Sequence, residues 1–184
     1  MNPSPNLFLI GPMGAGKSSI GRQLARHFDM PCIDLDAAIE EHTGVSVATI
    51  FEIEGEQGFR RRESELLAEL SARPGIVLAT GGGAVLVAAN RRLLRERGFV
   101  VWLETGVEQQ MLRLERDRKR PLLDTPDRHG RLEQLARARD PLYREIADFT
   151  VQSGGDESCH NAAARVVTLL EQHWRRVPAT KATA

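Results

Sequence analysis

The chain of 184 residues has the length of one domain with room for a sizeable core, and its 41% hydrophobic and 27% charged residues are ordinary for a globular protein. Its 25 Lys plus Arg balance 25 Asp plus Glu, so no overall field would hold nucleic acid or an anionic membrane, and any anion must be recognised locally. Two cysteines, Cys32 and Cys159, are too few for a disulfide framework and suit a reduced compartment.

The apolar run "LFLI" lacks a preceding basic region and is far too short for a signal segment, and no stretch approaches bilayer-spanning length. A cytoplasmic protein with no membrane partner is expected. In chain order, "NLFLI" (6–10) reads as a buried strand running into glycine. A helix is predicted from Lys17 to Phe28, with Ile20, Leu24 and Phe28 at four-residue spacing. "PCIDLD" (31–36) reads as a second strand ending in acids. Residues 37–70 read as mostly helical, with Phe59, Leu66, Leu67 and Leu70 on one buried face. "GIVLAT" (75–80) and "FVVWLE" (99–104) are the third and fourth strands, the latter followed by Thr105 and Glu108 in a capping-box spacing. "DFTVQ" (148–152) is a fifth strand ahead of a last helix over 158–174. Strands separated by helical stretches predict βαβ units and a parallel sheet covered on both faces, in a single domain over 1–175, with a frayed tail over 176–184. The stretch 113–128, "RLERDRKRPLLDTPDR", is dense in charge and carries Pro121 and Pro126; it reads either as a solvated connection or as a mobile lid bringing arginines over a nucleotide.

"GPMGAGKS" (11–18) satisfies G-x-x-x-x-G-K-[ST] between a predicted strand and a predicted helix. Its glycines permit a tight turn that exposes successive N–H groups, the helix N-terminus adds partial positive charge, Lys17 reaches the terminal phosphates, and the Ser18 hydroxyl suits Mg²⁺. A nucleoside triphosphate site is expected. No N-K-x-D tetrapeptide is present, which disfavours a guanine-nucleotide switch.

Four further features concern what receives the phosphate. Asp34 and Asp36 of "DLD" lie at the sheet edge where doubly wound folds bind ligands, although one of them could be an ordinary helix N-cap. In "FRRRE" (59–63), three consecutive arginines cannot share one helix face, so at least one points away from the others. "TGGG" (80–83) suits a ligand lying against bare peptide groups, or a sharp loop. Arg120 of "RKRPLL" and Arg139 of "RARDPLY" are each weak signals alone. Neither cysteine has a catalytic context. His27, His42, His129, His160 and His173 show no metal spacing.

Taken together, GPMGAGKS, DLD, FRRRE, TGGG, RPLL and R-x-PLY, in this order and spacing, resemble the shikimate kinase family from Leu7 to about Trp174. The resemblance implies a three-layer α/β/α fold of the P-loop, nucleoside-monophosphate-kinase-like type, with a five-stranded parallel sheet and a lid over 113–128. It implies ATP and Mg²⁺, shikimate as the small-molecule partner, and a monomer. By position, Gly14, Ala15, Gly16, Lys17, Ser18 and Ser19 would wrap the ATP phosphates, with Ser18 on Mg²⁺ and Asp34 near it. Asp36 would hold the shikimate hydroxyls, including the one phosphorylated. Arg60 and Arg139 would hold its carboxylate, and Gly81, Gly82 and Gly83 would lie along its ring. Arg120 would be the lid arginine on ATP, with Arg113 against the adenine. Lys17, Asp36 and Arg120 would be catalytic. Another kinase of this fold, such as a gluconate kinase, and a non-catalytic nucleotide-binding regulatory module are the alternatives.

Overall fold

Strand β1 (Leu7–Ile10) is buried along its whole length, as a parallel strand covered on both faces must be. In the computed structural model, which describes residues 4–115, 121–153 and 159–177, it is the middle of five parallel strands in the order β2-β3-β1-β4-β5. The other strands are β2 (Cys32–Asp34), β3 (Val77–Ala79), β4 (Phe99–Glu104) and β5 (Phe149–Gln152). The helices are α1 (Lys17–His27), α2 (Leu35–Thr43), α3 (Val47–Ser71), α4 (Ala88–Arg97), α5 (Val107–Leu114), α6 (Arg128–Ile146) and α7 (Cys159–His173).

Alternation along the strands divides the core in two. Leu7, Leu9, Phe99, Val101 and Leu103 pack with Ile20 and Leu24 of α1 and Val166 and Leu170 of α7. Phe8, Ile10, Val100 and Trp102 face the other way, onto Leu67 and Leu70 of α3, Leu94 of α4 and Tyr143 and Ile146 of α6. Phe59 joins this second layer, and Leu66 is half-buried against it. A small third cluster of Leu114, Leu123 and Leu132, with Met13 against it, fixes α5, a 3₁₀ turn at Pro121–Leu123 and α6 to the loop after β1. The two roots of the predicted lid are therefore packed, while residues 116–120, including Arg120, lie outside the described residues, as do 178–184 of the predicted tail.

Two local readings are corrected. The second strand stops at Asp34, because its side chain accepts from the Ala37 N–H and caps α2; Asp36 thus belongs to the first helical turn rather than to the strand. The capping box at Thr105 does not form. Gly106 is the N-cap, with no side-chain cap, and Glu108 pairs with His129 of α6 at 2.9 Å instead.

The strand order makes β1 the turning point. The chain builds β2 and β3 on one side of it, then crosses to β4 and β5 on the other. The loops after β1 and β3 are thereby neighbours at the carboxyl edge of the sheet, where the crevice of an open α/β fold lies.

Candidate active site

That crevice holds a cavity of about 910 Å³, lined by the loop after β1, both aspartates of DLD, α3, the three glycines after β3 and Arg139 of α6. On one side of it the chain turns through Gly14 (φ 76°) and Gly16 (φ 88°), conformations that only glycine adopts without strain. Helix α1 then starts with no side-chain cap and no acid in its first turn, so its positive end is left for an anion from outside the helix. Lys17 is almost wholly buried, and its ammonium donates to the carbonyls of Gly11 (2.9 Å) and Pro12 (2.7 Å). Ser18 and Ser19 line the cavity, whereas Ala15 turns its methyl into the core and donates its N–H to the Pro12 carbonyl at 3.3 Å.

The Ser18 hydroxyl donates to Asp34 Oδ2, while Asp34 Oδ1 accepts the capping N–H of Ala37 at 3.2 Å. One oxygen of Asp34 thus caps a helix while the other faces the loop serine. A hydroxyl and a carboxylate in contact form a pair of hard oxygen donors of the kind Mg²⁺ takes.

Of the three arginines in FRRRE, Arg60 turns into the cavity, Arg61 is exposed, and Arg62 pairs with Glu54 at 2.6 Å. Arg60 lies over the Phe59 ring, 5.1 Å from its centroid, and Nη1 donates to Glu63 Oε2 at 2.6 Å. Glu63 is fully buried, and its second oxygen has no hydrogen-bond partner among the described residues. Burial pushes the Glu63 carboxyl above the usual range, Arg60 pulls it back, and the charge of Asp36 raises it further.

The three glycines explain how these groups fit. None of Gly81, Gly82 and Gly83 has a positive φ, so the backbone conformation does not demand them. Space does. A β-carbon on Gly81 would stand 2.5 Å from Glu63 Oε1 and 3.0 Å from Asp36 Oδ1. One on Gly82 would stand 3.5 Å from Arg139 Nη1, and one on Gly83 would stand 2.1 Å from Arg60 Nη2. Asp36, Glu63, Arg60 and Arg139 thus close in on a bare stretch of backbone, brought there from three different helices.

Arg139 is 3% exposed. Burial holds its pKa below the ordinary value, Tyr143 acts against this, and Arg60 adds to it. One helical turn on, the Tyr143 hydroxyl donates to the Gly82 carbonyl, so α6 holds both the arginine and the glycine backbone beside it. Burial raises the Tyr143 phenol well above its usual value, so it stays a neutral donor. Arg113 does not line the cavity but donates to the Gly14 carbonyl (3.0 Å) and Ser153 Oγ (3.2 Å). Sequence reasoning gave no role to Glu63 or Tyr143. Their signal is helical spacing: Glu63 follows Arg60 by three residues and Tyr143 follows Arg139 by four, so each shares a face with its arginine.

A phosphate-binding loop that opens a helix, facing carboxylates and arginines across one crevice of a parallel sheet, defines a P-loop phosphotransferase with room for a small anionic acceptor. The comparisons narrow the class. The family model for shikimate kinase matches residues 13–171. The chain is 53% identical over 168 residues to the shikimate kinase of Vibrio cholerae, covering 91% of this chain and 96% of that one. It is 54% identical over 175 residues to that of Thioalkalivibrio sulfidiphilus, covering 95% and 90%. Among solved structures, shikimate kinase from Acinetobacter baumannii in complex with shikimate superimposes with a TM-score of 0.88 at 45% identity, covering 92% of this chain and 94% of that one. The chain belongs to the shikimate kinase family. Among the described residues no helix is long and apolar enough to cross a membrane.

Proposed function

We propose that the chain transfers the γ-phosphoryl group of ATP to the 3-hydroxyl of shikimate, giving shikimate 3-phosphate and ADP, a step toward chorismate and the aromatic amino acids. The observation that carries this reading is the gathering of Asp36, Arg60 and Arg139 around Gly81–Gly83, in the same cavity as the phosphate loop. The loop N–H groups from Gly14 to Ser19 and the Lys17 ammonium hold the phosphates; Lys17 leaves the Gly11 and Pro12 carbonyls to do so. Ser18 and Asp34 hold Mg²⁺, which when bound offsets negative charge on the phosphates. Arg60 and Arg139 clamp the substrate carboxylate, since a planar fork suits both oxygens of such a group. Asp36 orients the hydroxyl and takes its proton. With one end of the ring clamped and the other at Asp36, only one hydroxyl is presented for in-line attack. Arg113 is assigned to the adenine and Arg120 to the transferring phosphate. The activity is assigned to a cytoplasmic monomer.

A coupled assay of ADP release tests this. Turnover is expected with shikimate and Mg²⁺, and little with gluconate or a nucleoside monophosphate. Turnover of gluconate without shikimate would give the chain to the runner-up kinase. ATP binding without consumption would make it a regulatory module.

The glycine geometry gives a second test. In Gly83→Ala the new methyl would displace the Arg60 guanidinium. That group is the end of a flexible side chain, so the fold should survive while the clamp does not. The shikimate KM is expected to rise by about tenfold or more, with the ATP KM close to its original value and the melting temperature lowered, because the displaced guanidinium also pairs with the buried Glu63. A wild-type shikimate KM would show that Arg60 does not bind the substrate from the position seen here.

A further inference from the structure

Helix α3 breaks at Gly55, where φ is 69° and ψ is −178°, and the next residue is Glu56. One turn later, Arg60 Nη2 donates to Glu56 Oε1 at 3.1 Å, while Arg60 Nη1 holds Glu63 Oε2 at 2.6 Å. Both terminal nitrogens of the guanidinium are therefore already on carboxylates. The two acids differ in burial. Glu63 is completely buried, whereas the Glu56 side chain is 45% exposed. Glu56 also acts electrostatically on Arg139, so its charge reaches both arginines assigned to the substrate.

We propose that Glu56 is a built-in counter-anion of the carboxylate clamp, which the carboxylate of an incoming substrate displaces, so that Glu56 sets substrate affinity by competition. The inference rests on the reading of Arg60 and Arg139 as that clamp. Of the two carboxylates on Arg60, Glu56 is the one that leaves. Releasing Glu63 would strand a desolvated charge in the interior, a heavy cost, while Glu56 needs only a side-chain rotation into water. A pair of this spacing whose carboxylate is exposed is weakly held, so the competition is mild and the substrate carboxylate, gripped by two arginines, prevails. In the empty site the same contact gives Arg60, already paired with Glu63, a second carboxylate beside Arg139. With substrate in place, any Glu56 charge remaining near the clamp repels the new carboxylate.

The experiment compares wild type, Glu56→Gln, Glu56→Asp and Arg139→Ala, reading shikimate KM, shikimate Kd from equilibrium titration without nucleotide, and ATP KM. Glu56→Gln is expected to lower the shikimate KM and Kd roughly threefold to tenfold, by removing both the competing pair and the like charge. Glu56→Asp, one methylene too short for the contact, should move them in the same direction by less. The ATP KM is the internal reference. A contact that only supported the fold, or only aimed Arg60, would instead raise the shikimate KM, and rescue by aspartate would not follow that order. An unchanged or raised shikimate Kd in Glu56→Gln, with a strongly raised one in Arg139→Ala, overturns the counter-anion role alone. If Arg139→Ala also leaves the Kd unchanged, the clamp itself is wrong and the inference falls with it.

Discussion

Asp36→Asn is expected to remove most turnover, roughly a hundredfold to ten-thousandfold, while leaving the ATP KM close to its original value. Asparagine keeps the shape of the side chain and one acceptor oxygen, so the acceptor hydroxyl still finds a partner. What it loses is the negative charge and the capacity to take a proton as the new O–P bond forms. The proposed nucleotide seat is the loop after β1 and the start of α1, and Asp36 reaches the cavity from α2. The substitution should therefore separate binding of one substrate from transfer to the other. A stability readout guards against a trivial explanation. The Asp36 charge raises the pKa of the buried Glu63 carboxyl, and removing it relieves a like-charge repulsion in the empty site. The melting temperature is thus expected to hold or rise as activity falls. A variant with full rate would remove Asp36 from the acceptor role.

The parts of the molecule that were legible in the sequence are those governed by burial of continuous apolar runs. β4 matches its predicted bounds of 99–104 because FVVWLE is buried on both faces and is bounded by Gly98 and Thr105. The ends of β2 and the start of α5 escaped because they depend on which side chain turns back on its own backbone. The pattern PCIDLD gives no sign that Asp34 will cap α2, and Thr105 reads as a better N-cap than Gly106 until its position is known. At the site, the phosphate loop was legible as a local motif. The gathering of Asp36, Arg60 and Arg139 was legible only through the resemblance to a family, since no local rule brings three distant residues to one crevice. TGGG has a further cause that its composition does not show: the missing β-carbons make room for the protein's own Asp36, Glu63 and Arg60. Glu63 was hidden for a related reason. An Arg and a Glu three apart on a helix ordinarily form a solvated pair, whereas here the backbone at Gly81 lies against Glu63, which is fully buried.

Arg139→Ala is expected to raise the shikimate KM and Kd by about thirtyfold or more, corresponding to the roughly 2 kcal/mol and upward that a truncated, desolvated charge pair costs. Arg139 is 3% exposed, its Nε has no hydrogen-bond partner among the described residues, and Arg60 repels it. Such a cation is held at a cost in the empty enzyme and is compensated when a substrate carboxylate arrives. The expected signature is therefore double: a large loss of shikimate affinity, with a melting temperature that is unchanged or higher once the unliganded protein is relieved of that charge. The cavity left by the shortened side chain works against the second part. Arg139→Met, which fills more of the same volume without charge, is the cleaner test of it. Arg139→Lys should fall between wild type and alanine in affinity, because it restores the charge but not the planar fork. The ATP KM should move little in all three, since Arg139 is assigned to the acceptor carboxylate and the phosphates to the loop from Gly14 to Ser19. Equal losses for ATP and shikimate would mean that α6 supports the whole crevice and that Arg139 has no private role in binding the acceptor.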